Sequence, residues 1–109
     1  MDNYRLSDDA GEDIDYLFSD GIIRYGFERA TQYFNGLIKQ FEFLSSNVNI
    51  GINSDELSPN LQRFSYNRHV IFYMKTDTGI LIVRVLGEEM DFYRHLEIRD
   101  VNFNENDGE

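Results

Sequence analysis

Few side chains here are of the types, and at the spacings, that do chemistry, and each grouping has a plainer role. His69, His95 and Asp91 are metal-binding types, but their separation matches no ligand motif, and histidines beside regular elements are commonly core-edge residues. Ser58 or Ser65 with His69 would make a nucleophile and its base. A serine in a strand is ordinarily sheet surface, and no strained elbow or orienting carboxylate accompanies either one. Glu88 and Glu89 would serve as acid and base, whereas adjacent acids after a strand usually form a solvated turn or favour the start of a helix. Arg63 and Arg84 lie in strands without a lysine cluster, where arginines are usually cross-strand partners of acids or sheet-edge cations. There is no glycine-rich phosphate loop. The chemistry points to a binding protein with no cofactor and no metal.

The elements that must position these residues announce themselves by period. From Arg63 onward the chain reads as a strand, a hairpin of two more and a short terminal helix. His69 to Thr76 and Ile80 to Leu86 are rich in β-branched and aromatic residues and flank Asp77-Thr78-Gly79, so they should pair antiparallel. Both runs are apolar on both faces, and the sheet needs a cover on each side. One cover is a helix from Phe27 to Val48, whose stripe is Ala30, Tyr33, Phe34, Leu37, Ile38, Phe41, Leu44 and Val48. Phe43 falls off that stripe. An earlier helix begins after Ser7, a capping residue, with Asp8 and Asp9 against the positive end of its dipole. Its stripe is Ala10, Ile14, Leu17, Phe18, Ile22 and Tyr25, and Gly26 separates the two helices. They should close as an antiparallel hairpin on the sheet. Gly11 and Gly36 each cost about 1 kcal/mol relative to alanine within a helix, so the hairpin depends on burial.

A chain of 109 residues without cysteine has enough large apolar side chains for one core and no disulfides to staple it. The start MDNYRLSDDA has no secretory pattern, and no apolar run approaches the ~20 residues that cross a bilayer, so a cytoplasmic location is expected. The net charge of −10, with only two lysines, opposes general or sequence-specific nucleic-acid binding. Acids crowd the first helix, while from Leu57 to Thr76 the only charges are Arg63, Arg68 and Lys75. The sheet side therefore suits an acidic partner. Asn47 to Asn60 reads as a polar connector, and residues 97–109 as a loose acidic tail after a single domain of residues 1–96.

Several motifs, in order, resemble one family. They are YRLS-x2-A-x2-DI (Tyr4 to Ile14), YGFERATQY (Tyr25 to Tyr33), NIG-x3-DEL (Asn49 to Leu57), RF-x4-HVIFY (Arg63 to Tyr73), IVRVL (Ile82 to Leu86) and MD-x3-HL (Met90 to Leu96). Together these resemble the ParE branch of the RelE/ParE toxin superfamily over about residues 4 to 96. The resemblance implies an α+β fold. Its parts are an N-terminal strand at Asn3 to Leu6, an antiparallel helical hairpin on a three- to four-stranded antiparallel sheet, and a short C-terminal helix. It also implies the toxin of a type II toxin–antitoxin module, a non-catalytic inhibitor of DNA gyrase neutralised by a ParD-like antitoxin. Where members commonly read RVLH before the MD, this chain has Gly87, Glu88 and Glu89, which changes the local sign of charge.

Two alternatives stand beside this. One is a RelE-like, ribosome-dependent mRNA endoribonuclease, for which Arg63 and Arg84 would supply charge; the other is a non-toxic homologue that keeps antitoxin binding. The antitoxin is expected to bury Phe27, Phe43 or Tyr66 together with Arg63 and Arg68. Arg84, Met90, Asp91, Tyr93, Arg94 and His95 are expected at the target or antitoxin contact. Arg84, in an apolar strand, needs a carboxylate, and Asp91 is the nearest in sequence. The free protein should be a homodimer or aggregation-prone, or form a hetero-oligomer with its antitoxin.

Overall fold

The computed structural model describes residues 3–96; the acidic tail at 97–109 lies outside the described residues. The order is β1 (Tyr4–Leu6), α1 (Asp8–Tyr25), α2 (Phe27–Ser46), β2 (Ile52–Asn53), β3 (Gln62–Tyr66), β4 (His69–Lys75) and β5 (Ile80–Gly87). A helical turn at 92–96 follows.

Ser7 starts the helical hairpin and ties it to the sheet. Its Oγ accepts the Ala10 amide at 3.0 Å and donates to the Val83 carbonyl at 2.7 Å, while its own N–H reaches the Ile82 carbonyl at 2.9 Å. Gly26 then ends α1 and begins α2. Its φ of 93° is open to glycine at little cost, and its N–H closes the last turn of α1 on Ile22. The helices cross closely, with Gly21 packed against Ala30.

The sheet has five strands in the order β1-β5-β4-β3-β2. The β4–β5 hairpin forms as its composition implies, with Val70 opposite Leu86 and Lys75 opposite Ile80. Two features extend the expected antiparallel sheet. β1 joins β5 in parallel, Tyr4 against Ile80 and Leu6 against Ile82, which makes the sheet mixed. The connector contributes a strand as well, because Ile52 and Asn53 pair with Arg63 and Gln62. α2 stops at Ser46, short of Val48, where the Asn47 amide turns back to Leu44.

Both faces are covered. On the helix side Ile14, Leu37, Phe41 and Leu44 pack on Ile71, Tyr73, Ile80, Ile82 and Val85. The register shifts between Phe72, opposite Arg84, and Tyr73, opposite Ile82, which keeps both Ile82 and Val85 on this side. On the far side Leu61, Val70, Phe72, Leu86 and Leu96 form a second cluster, with Leu57, Met90 and Phe92 against it. Each side chain so buried contributes roughly 1.5–3 kcal/mol. The second cover is thus the chain after β5 and the connector.

Gly36 accommodates a neighbour. A Cβ there would collide with the Tyr66 hydroxyl, so its absence lets the β3 tyrosine lie against α2.

Candidate functional site

β1 runs beside only the first part of β5, and α1 departs where it ends. Between α1, the start of α2, the β3–β4 turn and the last residues of β5 lies an open groove of about 1310 Å³. Tyr16, Leu17, Asp20 and Arg24 line it from α1; Arg29, Ala30 and Tyr33 from α2; Arg68 and His69 from the turn; and Val85 to Met90 from β5 and beyond. These two helix segments present apolar side chains between charged ones, the pattern of a surface that takes an amphipathic segment.

The rim of the groove is held by one phenol. The Tyr33 hydroxyl lies 2.7 Å from His69 Nδ1 and 3.2 Å from the Tyr66 carbonyl. Its ring meets those of Tyr66 at 5.3 Å and His69 at 5.5 Å. Burial first, then proximity to Tyr66, pushes the Tyr33 pKa up to about 12, so the group remains a neutral donor. Burial also lowers the pKa of His69, against the pull of Glu89 and Glu88. His69 therefore faces a phenol and two glutamates; Nδ1 is engaged by Tyr33 rather than by a serine.

The two strand arginines do not converge. Arg84 Nε and Nη2 reach Asp13 Oδ2 and Oδ1 at 2.8 and 2.9 Å, and Asp13 Oδ2 also accepts the Val85 amide at 2.9 Å. The side chains of this pair are only 14% and 15% exposed. Asp91, nearest in sequence, is not the partner: its carboxylate accepts the Arg94 amide at the start of the terminal turn. Asp13 wins because α1 crosses the β5 edge where β1 has stopped. The hydrogen bond to Asp13 raises the Arg84 pKa further above its ordinary value. Arg63, for its part, donates to Ser54 Oγ at 2.9 Å and Glu56 Oε2 at 3.3 Å.

The other expected contact residues are dispersed. Arg68 and Met90 line the groove; the Met90 sulfur accepts the Gly87 amide at 3.1 Å. Phe27 stands at the tip of the helical hairpin, 66% exposed, its ring 6.2 Å from Phe18. Phe43 is 41% exposed and leans on Phe64 at 5.9 Å, at the opposite end of α2. Tyr66 is half-buried against Tyr33, Tyr93 and Arg94 are exposed, and His95 is half-buried. Tyr16, Tyr25, Arg24, Arg29 and Tyr33 were not among the expected contacts, yet they line the groove. Tyr16, 72% exposed and off the α1 stripe, carried a readable signal: a large aromatic where the helix should be polar. Among the described residues no cluster of three or more metal-ligating side chains occurs, and no helix is long and apolar enough to cross a membrane.

Comparison with known proteins gives consistent results. The family model described as ParE toxin of type II toxin-antitoxin system, parDE, matches residues 4–92. Toxin ParE1 of Caulobacter vibrioides is 30% identical over 96 residues, covering 88% of this chain and 99% of that protein. A solved structure described as the chromosomal ParDE TA system from P. aeruginosa shares the fold with a TM-score of 0.70 at 18% identity, covering 82% of this chain and 98% of that one.

Proposed function

The chain belongs to the ParE toxin family of type II toxin–antitoxin systems, and on that premise we propose that it acts in the cytoplasm as a non-catalytic inhibitor of DNA gyrase, neutralised by a ParD-like antitoxin. The observation that carries this reading is the internal pairing of both strand arginines. Phosphoryl transfer requires cations aimed at the reacting phosphate, and here Arg84 is held by Asp13 and Arg63 by Glu56. What the surface does offer is docking area. Arg29 and Arg68 flank the Tyr33 end of the groove without an ion-pair partner among the described residues. They suit carboxylates of an antitoxin segment whose apolar side chains cover Tyr16, Leu17 and Ala30. Phe27 and Phe43, at opposite ends of α2, and Tyr66 and Arg63, on opposite faces of β3, would be reached by an antitoxin that wraps around the molecule. The target contact is assigned to Met90, Asp91, Tyr93, Arg94 and His95, while Arg84 is held by Asp13 of α1.

The test is to assay the purified chain for inhibition of gyrase supercoiling beside ribosome-dependent mRNA cleavage. Dose-dependent loss of supercoiling with no cleavage is the expected result. Cleavage abolished by Arg84→Ala with the fold intact would replace the inhibitor by the ribonuclease. Inertness in both assays, with growth unaffected on induction, would assign the chain to the non-toxic homologues.

A further inference from the structure

Strand β3 outlasts the strand that covers it. β2 pairs only Ile52 with Arg63 and Asn53 with Gln62, so the outer edge of β3 from Phe64 to Tyr66 has no strand beside it among the described residues. The direction of its main chain follows from the hairpin. Tyr66 and His69 flank the two-residue turn Asn67-Arg68 and pair with each other, so the pleat aims the peptide groups of Phe64 and Tyr66 at β4 and those of Arg63 and Ser65 outward. The pairing already present agrees: Arg63 is opposite Ile52, and the Leu61 carbonyl, two residues back, accepts the Ser54 amide at 2.8 Å. Ser65, itself exposed, thus presents an N–H and a C=O at an uncovered edge.

We propose that this edge is a self-association surface, on which a second copy of the chain lays its own β3 antiparallel about Ser65. The edge is self-complementary. A twofold axis at Ser65 gives that residue two reciprocal main-chain hydrogen bonds with its counterpart and sets Phe64 of each copy opposite Tyr66 of the other. The open stretch ends on Ile52 at one side and on the Asn67-Arg68 turn at the other, so the turn of each copy abuts an isoleucine that is 62% exposed in the monomer. Charge permits the approach. Copies of a chain at −10 repel one another, but residues 64–67 are uncharged and Glu56 offsets the neighbouring Arg63. The devices that usually stop edge pairing, a lysine, a proline or a bulge, are absent from Phe64 to Asn67. One reciprocal pair of main-chain bonds with aromatic and isoleucine contacts makes a weak, micromolar dimer. The surface shares Tyr66 with the proposed antitoxin contact, so the antitoxin and the second copy compete; the dimer itself does not depend on that reading.

Sedimentation velocity of the full chain from about 5 to 200 µM tests this. The wild type should shift from monomer to dimer across the range, while Ser65→Pro, which removes the outward N–H, stays monomeric. Ser65→Lys keeps every main-chain bond within the monomer and sets like charges face to face across the axis, so it should also stay monomeric, with the thermal melt of the wild type. It decides the matter should the proline variant fail to fold. A wild type still monomeric at about 200 µM, or a dimer that survives Ser65→Lys, overturns the proposal.

Discussion

Arg84 and Asp13 are joined twice, and the carboxylate is shared with a third donor: the same Oδ2 that receives Arg84 Nε also receives the Val85 amide. The two residues are therefore unequal. Arg84→Ala leaves a carboxylate that still caps the β5 edge, whereas Asp13→Ala strands a mostly buried guanidinium and a peptide N–H together. Loss of one member of a buried pair costs several kcal/mol; with this pair slightly exposed, Arg84→Ala should cost about 2 kcal/mol and Asp13→Ala about 3 kcal/mol. Urea unfolding of both single variants and the double variant measures this. Additive losses, or a larger loss for Arg84→Ala, would sink the account.

Tyr33→Phe removes a neutral hydroxyl that binds the β3–β4 turn to α2. The expected loss is about 1–2 kcal/mol, the cost of leaving the Tyr66 carbonyl and His69 Nδ1 underpaired at a half-buried site. Amide exchange at Asn67 and Arg68 should quicken in the same variant. Unchanged exchange there would mean that the turn stands without Tyr33.

His69 makes stability fall with acid. Its folded pKa lies below its ordinary value because burial disfavours the imidazolium, and the groups facing it are Tyr33 from α2, Tyr66 and Arg68 from the hairpin, and Glu88 and Glu89 beyond β5. Since the unfolded chain takes the proton more readily, the contribution is complete above the unfolded pKa of about 6.5 and is lost as pH falls through the lower folded value. Wild type and His69→Gln compared at about pH 7.5 and 5.5 should differ in slope, the wild type losing more. Equal slopes would assign the acid sensitivity to carboxylates alone.

Gly36→Ala should destabilise the protein although alanine is the better helix former by about 1 kcal/mol. The added methyl meets the Tyr66 ring and hydroxyl, and Tyr66→Leu should make room for it. In the Tyr66→Leu background Gly36→Ala is expected to be neutral or favourable, read by thermal melt. The same loss in both backgrounds would mean that the crowding lies elsewhere.

What was legible in the sequence is what short-range physics writes there. Most of both apolar stripes, the Ser7 cap, the break at Gly26 and the β4–β5 pair each depend on neighbours within a few residues and appear in the fold; Tyr25, at the end of the first stripe, is instead exposed, and Val48 lies beyond α2. Arg84 declared its need for a carboxylate. It did not declare which one, because Asp13 is 71 residues away and approaches only through the parallel placement of β1. β2 was hidden in a polar connector, since two residues show no alternation and the strand exists by virtue of β3. The groove was illegible for a related reason: it is the space left where β1 is shorter than β5, bounded by four separate segments. Arg68 and Met90, expected as contacts, do line it, and Tyr16, an aromatic off the apolar stripe of α1 and not among the expected contacts, was a further signal.

The parallel union of the first and last strands has a temporal side. Ser7 and Val83, bonded in the finished protein, are synthesised 76 residues apart. While the ribosome works through the middle of the chain, β1 and both helices are complete but have no β5 beneath them, and non-local closure of this kind is the slow part of folding. A nascent chain interrupted before Ile80 has no groove, since its floor is made last, and it exposes amphipathic helices to proteases. In this ParE-family chain the groove therefore comes into being only once β5 has been made.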